Sequence, residues 1–201
     1  MNAHAHLLIG DSPMRFEEFL LLFGEDEDFE LINGVIVERI SAQLDHERLF
    51  AWLMAVLVLY VEHHVLGIVL GSRTVVKVGE FRARMPDLLF VRAERLHIVQ
   101  QRAVYGAPDL VIEIISAGDR CSDVVEREAD YRALGVDEIW LIDRPGGRLR
   151  LLQREGEEYR VAERTEGIVQ SRVLNGLQMD VRWLLSEERP PVHEILRGLE
   201  T

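Results

Sequence analysis

The sequence predicts an α/β fold in which a mixed sheet is flanked by helices and preceded by an N-terminal β-hairpin. Three observations carry that expectation. An Asn33-Gly34 pair separates two apolar runs, a strand, helix, strand succession spans Asp109 to Asp143, and between them lies a long helix that is apolar on more than one side. Asn-Gly between apolar runs is the strongest short-range hairpin signal, because both residues accept the positive φ of a type I′ turn. Two strands joined through a helix need a crossover, which makes them parallel neighbours.

Ser12-Pro13 has the form of a helix start, and Phe16, Phe19, Leu20 and Phe23 recur at helical spacing up to Gly24. The acidic run Glu25-Asp26-Glu27-Asp28 reads as a solvated loop. Phe29 to Ile32 and Val35 to Ile40 are the hairpin arms, carrying Glu30 and Glu38. From about Asp45 to Leu66 the apolar residues are too dense for one stripe, so this helix needs cover on several sides. Strands are expected at Ile68 to Leu70, Thr74 to Val78, Met85 to Val91 and, after a polar excursion, Asp109 to Ser116. Ser122 caps a helix that Gly135 stops, and Asp137 to Asp143 is a buried strand. The turn Arg144-Pro145-Gly146-Gly147 leads into Arg148 to Gln153, followed by weaker strands and a break at Pro190-Pro191.

With 201 residues, 48% of them apolar, the chain can bury one sizeable core. The expected organisation is a flexible N-terminus (1–12), one domain (13–188) and a C-terminal tail (189–201). The longest uncharged stretch, Leu49 to Val61, falls short of the roughly 20 residues that span a membrane, so no membrane partner is expected. The first residues lack the pattern of a secretory signal and Cys121 is the single cysteine, which together point to the cytoplasm. A net charge of −12 argues against a strong non-specific binder of nucleic acid. Contact with DNA then requires a local basic face, for which Arg82, Arg84, Arg92 and Arg95 are the candidates. Lys77 is the only lysine.

Strand residues two apart share a face, so Asp109, Val111, Glu113 and Ile115 line one side of their strand. An ionised group left alone in a core costs several kcal/mol, so Glu113 needs a metal, a cationic partner or a cleft. Asp87 poses the same demand on the preceding strand. Two hard oxygen donors brought together make a Mg²⁺ or Mn²⁺ site, whereas the structural alternative is a buried acid pair neutralised by internal arginines. Arg127 lies three, four and seven residues from Val124, Tyr131 and Leu134 and therefore shares their inward face. Lys77 stands one hairpin away from Asp87, and the alternation of its strand leaves open which face meets that residue. His46 reads as a surface residue at a helix start, Asp109 as a strand-start residue and Asp143 as a turn-former. Trp140, Trp183 and Tyr131 read as core.

Glu30-Leu31-Ile32-Asn33-Gly34, His46 before an apolar helix, Pro86-Asp87, Pro108 to Ser116, and Tyr131 followed by Gly135 to Asp143 together resemble the Uma2 family over about residues 15 to 185. That family is similar in fold to the PD-(D/E)XK nucleases. The resemblance implies a restriction-endonuclease-like core and a Mg²⁺-dependent endonuclease that acts on DNA as a homodimer. In that fold the Asp of the Pro-Asp pair and the acid of the next strand hold a divalent metal, and a Lys two residues further on assists the attacking water. Those positions are Asp87, Glu113 and Ile115 here, and Glu30 matches a further acid of the site. Isoleucine carries no charge. The resemblance also implies that the basic position has moved to the next helix, where Arg127 stands. Arginine stays protonated and is a poor base, but it orients phosphate and stabilises negative charge. Ile115, Arg127 and the net charge favour the alternative, a dimeric binding or scaffold protein that keeps the fold without catalysis. A metal hydrolase of small phosphorylated molecules fits the acidity but lacks a phosphate loop.

Overall fold

The computed structural model describes residues 6–7, 12–23, 28–38, 43–71 and 73–199. Its first half runs β1 (His6–Leu7), α1 (Phe16–Leu22), β2 (Phe29–Ile32), β3 (Val35–Glu38), α2 (Leu44–His63), β4 (Gly67–Gly71), β5 (Val76–Gly79), β6 (Arg82–Arg84) and β7 (Leu88–Arg92). A 3-10 turn (Ala93–Ile98) leads to β8 (Leu110–Ile115), α3 (Cys121–Leu134), β9 (Glu138–Asp143), β10 (Arg148–Glu155) and β11 (Glu158–Arg164). The chain closes with β12 (Ile168–Gln170), β13 (Gln178–Asp180), α4 (Val181–Leu185) and α5 (Val192–Leu199).

The expected α/β fold is present. The main sheet has the order β11-β10-β9-β8-β7-β4, and a second sheet has the order β1-β3-β2-β6-β5. The main sheet is mixed because β8 and β9 run parallel, in register from Leu110↔Glu138 to Ile115↔Asp143, while its other neighbours are antiparallel. That parallel pair is the one the strand, helix, strand pattern predicts, with α3 as the crossover. Gly135 ends α3 at a φ of +85°, where a side chain would be strained.

The hairpin forms where Asn33-Gly34 places it, with φ values of 51° and 76°. Gly34 is also required by space, since a Cβ there would stand 2.5 Å from Cβ of Pro13. This contact explains why α1 begins at Phe16 instead of at Ser12-Pro13. Met14 N–H donates to the carbonyl of Gly34 at 3.0 Å and Phe16 N–H to that of Glu80 at 2.8 Å, so the intervening chain is extended along the hairpin. The Glu18 side chain accepts from Arg15 N–H at the new helix start. Gly24, Glu25-Asp26-Glu27 and Arg39-Ile40 lie outside the described residues. So does the N-terminal stretch apart from Ser12 and from His6-Leu7, which pairs with Val37 and Ile36.

The strand expected over Met85 to Val91 begins only at Leu88 and is preceded by a separate short strand, β6. Residues 82–84 pair into the second sheet, with Leu31↔Ala83, and residues 88–92 pair into the main sheet, with Leu88↔Ile112. Pro86 has no N–H to give either ladder, and the chain changes sheets at Met85-Pro86-Asp87.

The main sheet is covered on both faces. Leu49, Leu53, Val56 and Tyr60 of α2 pack on Leu88, Phe90, Ile112, Ile114 and Trp140, where Leu184 of α4 and Ile195 of α5 join them. Tyr131 of α3 packs on the other face with Leu89, Val111, Ile139 and Leu141. A third cluster seals α1 onto the hairpin sheet through Phe16, Phe19, Leu31 and Ala83. Each such side chain contributes about 1.5–3 kcal/mol when fully buried. Trp140 and Tyr131 are core residues as expected, and Trp183 packs half-buried at the margin. Among the described residues no helix is long and apolar enough to cross a membrane.

Candidate functional site

At one end of the main sheet β8 and β9 finish and β7 begins. The pairing Leu88↔Ile112, carried one residue further, sets Asp87 opposite Glu113. Both residues are 1% exposed. Asp87 Oδ2 accepts the backbone N–H of Ile114 at 2.7 Å and stands 3.2 Å from Nε2 of His46. Its carboxylate is thus fixed by the neighbouring strand on one side and by the first turn of α2 on the other.

Glu113 shares the strand face of Val111, which turns it toward α3. Residues 127 and 131 are one helical turn apart, and both reach it. Tyr131 donates its hydroxyl to Oε1 at 2.5 Å, and Arg127 donates Nη1–H to Oε2 at 3.1 Å. The other arm of Arg127 pairs with Asp119 in the loop between β8 and α3. Sequence spacing alone places Arg127 on this face, and the structure brings it to Glu113.

Glu30, an exposed hairpin residue by sequence pattern alone, is 8% exposed. It accepts the backbone N–H of Met85 at 3.0 Å and Nη1–H of Arg84 at 3.0 Å. Arg84 donates on through Nε to Asp130 of α3 at 2.6 Å, and Arg82 reaches the other oxygen of Asp130 at 2.6 Å. Burial disfavours the charge on Arg127, but Glu113, Asp119 and Glu30 outweigh it and hold the guanidinium above its ordinary value. Glu30 and Asp130 do the same for Arg84. Burial, then the charges of Glu113 and Glu30, push the Tyr131 hydroxyl well above its ordinary value, so it remains a donor. Glu30, Glu113, Arg127 and Tyr131 therefore act as one electrostatic cluster.

Lys77 is not brought to this cluster. It pairs with Ala83, which pairs with Leu31, and cross-strand partners share a face. That face lies under α1, where Lys77 Nζ bonds Oε1 of Glu17 at 2.5 Å and sits 4.8 Å from the Phe16 ring centroid. Glu30 and Arg84, the next residues along their strands, point the opposite way. Ile115 is half-buried among the apolar residues on the α3 side.

The expected basic face from Arg82, Arg84, Arg92 and Arg95 does not form either. Arg82 and Arg84 are taken up by Asp130 and Glu126. Arg92 and Arg95 serve Asp109, which is fully buried near the opposite end of the sheet. In a chain with so large an acidic excess, arginines near buried carboxylates are drawn into pairs before they can form a patch.

His46 departs from the sequence expectation. It is 9% exposed, not a surface group. A signal for this exists in the sequence, because residues 46, 49, 53, 56 and 60 form one buried stripe of α2. Asp143 is the turn-former expected, accepting the Gly146 N–H at 2.8 Å.

Among the described residues no three His, Cys, Asp or Glu side chains gather as a metal cage. Mg²⁺ does not ask for one, since it is usually held by one or two carboxylates and keeps several waters. Asp87 and Glu113 are the two buried carboxylates that adjoin in strand register here, one held from the α2 side by His46 and the other from the α3 side by Tyr131 and Arg127. Residues 16–182 match the Uma2 family, described as "Putative restriction endonuclease". The chain belongs to the Uma2 family. This Uma2 chain is similar to a crystal structure described as "a putative nuclease belonging to DUF820 from Anabaena variabilis ATCC 29413". The TM-score is 0.72 at 20% identity, over 86% of this chain and 98% of the other. At that identity the likeness is one of fold, and the mixed sheet with flanking helices is shared. No relative is found among curated proteins. Uma2 membership sets the chain in a restriction-endonuclease-like nuclease family.

Proposed function

We propose that this Uma2 protein is a Mg²⁺- or Mn²⁺-dependent endonuclease of the PD-(D/E)XK type that hydrolyses phosphodiester bonds in DNA. The observation that carries the reading is the opposition of buried Asp87 and Glu113 at the point where the chain changes sheets. Those two carboxylates would hold the cation, and Glu30 would complete the acidic wall beside them. When bound, the ion supplies Lewis-acid polarisation of the scissile phosphate and a lowered pKa for the attacking water.

The chain's own groups have narrower tasks. The Ile114 N–H and His46 orient Asp87, and Tyr131 and Arg127 orient Glu113. Arg127 stays charged and accepts no proton, so its contribution is to stabilise negative charge developing on the phosphate. Ile115 supplies no base. Lys77, held by Glu17, takes no part. A cytoplasmic setting agrees with a free, exposed Cys121. A homodimer would present two such sites to the two strands of a duplex.

One observation favours a second reading, a dimeric DNA-binding or scaffold protein with impaired catalysis. Both arms of Arg127 are committed to carboxylates, Glu113 and Asp119, in the place where the fold's base belongs. The deciding experiment titrates purified protein with Mg²⁺ and Mn²⁺ by calorimetry and follows cleavage of supercoiled and linear DNA. Asp87→Ala and Glu113→Ala are run beside the parent. Metal-dependent cleavage lost in both variants supports the nuclease. Equal cleavage by parent and variants refutes it, and DNA binding without cleavage selects the second reading.

A further inference from the structure

We propose that Arg48, Arg144 and Arg189 form a cradle for a phosphate group on the α2 side of the same sheet end. This rests on the nuclease reading only for the source of that group, a phosphate of the DNA backbone.

The first argument is one of charge. Many arginines elsewhere are matched to acids, as in Arg15 with Glu80, Arg148 with Asp143 and Arg150 with Glu128. Among the described residues none of the three cradle arginines has a carboxylate at ion-pair distance. Arg189 gives its Nε–H to the carbonyl of Trp183 at 2.9 Å and an Nη2–H to that of Ser186 at 2.6 Å, neutral acceptors that fix its direction. Nε of Arg144 is buried without a hydrogen-bond partner. In a chain of net charge −12, such a gathering of unmatched guanidiniums requires an explanation.

Packing brings the three together. Trp52 of α2 donates Nε1–H to the carbonyl of Pro190 at 2.9 Å and meets Trp183 edge-on at 6.4 Å. Arg48 is one helical turn ahead of Trp52 on the same stripe, and Arg189 immediately precedes Pro190. Arg144 follows Asp143, the partner of Ile115, at the carboxyl end of β9, where ligands commonly meet a parallel sheet. Burial, then Arg144 and Arg48, lower the Arg189 pKa, and Glu187 and Asp45 offset this only in part. An anion seated among them would relieve that repulsion. Guanidinium forks match phosphate oxygens bidentately, and the N-terminus of a 20-residue helix adds its positive end.

The cradle lies at the same end of the sheet as the carboxylates. His46, against Asp87, and Arg48 are two residues apart on α2, about 3 Å along the helix axis but roughly 200° apart around it, so Arg48 faces away from Asp87. A strand passing over the end of the sheet would meet Asp87 and Glu113 with one phosphate and the cradle with another.

The test uses the full chain, a fluorescent DNA duplex in EDTA, and anisotropy measured across salt concentrations. Arg48→Ala, at an exposed helix position, and Arg144→Gln are compared singly and together, with Arg189→Lys retaining charge without the fork. Each is expected to weaken binding by about fivefold or more, and to reduce the salt slope by about one for each phosphate that the variant no longer engages. Mn²⁺ binding, read by electron paramagnetic resonance, is expected to be unchanged. Parent-like affinity and slope in the double variant would overturn the cradle while leaving the nuclease reading intact. A parent that binds no DNA, with or without metal, would remove the nuclease reading. In that event the cradle stands if inorganic tripolyphosphate raises the Tm of the parent and not of the double variant, and falls if both respond alike.

Discussion

Tyr131 donates its hydroxyl to Oε1 of Glu113 across 2.5 Å, between a helix and a sheet that bury both residues. This bond makes an acid in the middle of a core strand tolerable. Replacing Tyr131 by Phe leaves one carboxylate oxygen without its donor, and stability measured by urea unfolding should fall by about 1–3 kcal/mol.

The same bond sets an alkaline limit. Burial first, then the Glu113 charge, hold the folded Tyr131 pKa well above the ordinary value of 10.0. A group with a raised folded pKa gives stability that is fully present below the unfolded value and is lost as pH rises toward the folded one. The parent should therefore lose stability above about pH 10 more steeply than Tyr131→Phe, in unfolding curves collected across that range.

Asp87→Asn keeps the shape of the side chain and an oxygen for the Ile114 N–H, but removes the charge. Calorimetric Mn²⁺ affinity should drop by more than about tenfold, since losing an anionic oxygen donor exceeds the loss of an outer partner.

Arg127→Lys exchanges a two-armed fork for one ammonium, which cannot hold Glu113 and Asp119 as Arg127 does. The expected result is a lower Tm together with faster Mg²⁺-dependent cleavage of supercoiled DNA, because a lysine can act on water where arginine cannot. Initial rates measured beside the parent check this.

Arg84 is 3% exposed and joins Glu30 to Asp130. Arg84→Met strands two buried acids, and breaking such a pair costs about 3–5 kcal/mol. Urea unfolding with an unchanged m-value would report it. Lys77→Met should by contrast leave metal affinity and cleavage untouched, and cost no more than the roughly 0–1 kcal/mol of an exposed ion pair.

What is legible from residues alone follows from how far each signal reaches. Asn33-Gly34, Gly135 and the crossover from Asp109 to Asp143 are local chemistry, and each element forms where that chemistry places it. Asp87 and Glu113 stand out because a charge in an apolar strand needs an explanation wherever it lies. Arg127 is found by helical phase. The start of α1 escapes a sequence reading because tertiary hydrogen bonds from Met14 and Phe16 N–H to the carbonyls of Gly34 and Glu80 outweigh a good local cap. Arg84, the clamp on Glu30, looks like surface charge in the sequence because its partner Asp130 is 46 residues away. The face of Lys77 depends on strand pairing that alternation cannot choose. His46 continues the buried periodicity of α2, but its place at the helix end makes that signal weak.

The change of sheets at Met85-Pro86-Asp87 ties the candidate site to both layers. Glu30, on the hairpin layer, grips the backbone of Met85, two residues before Asp87. The acidic wall therefore belongs to neither layer alone: Asp87 and Glu113 come from the main sheet, Glu30 from the hairpin, and Val76 of the hairpin sheet shares a buried cluster with Leu89 and Val111 of the main one. Under the proposed function, a change that loosens the two layers from each other would reach the cutting edge without touching any of its carboxylates.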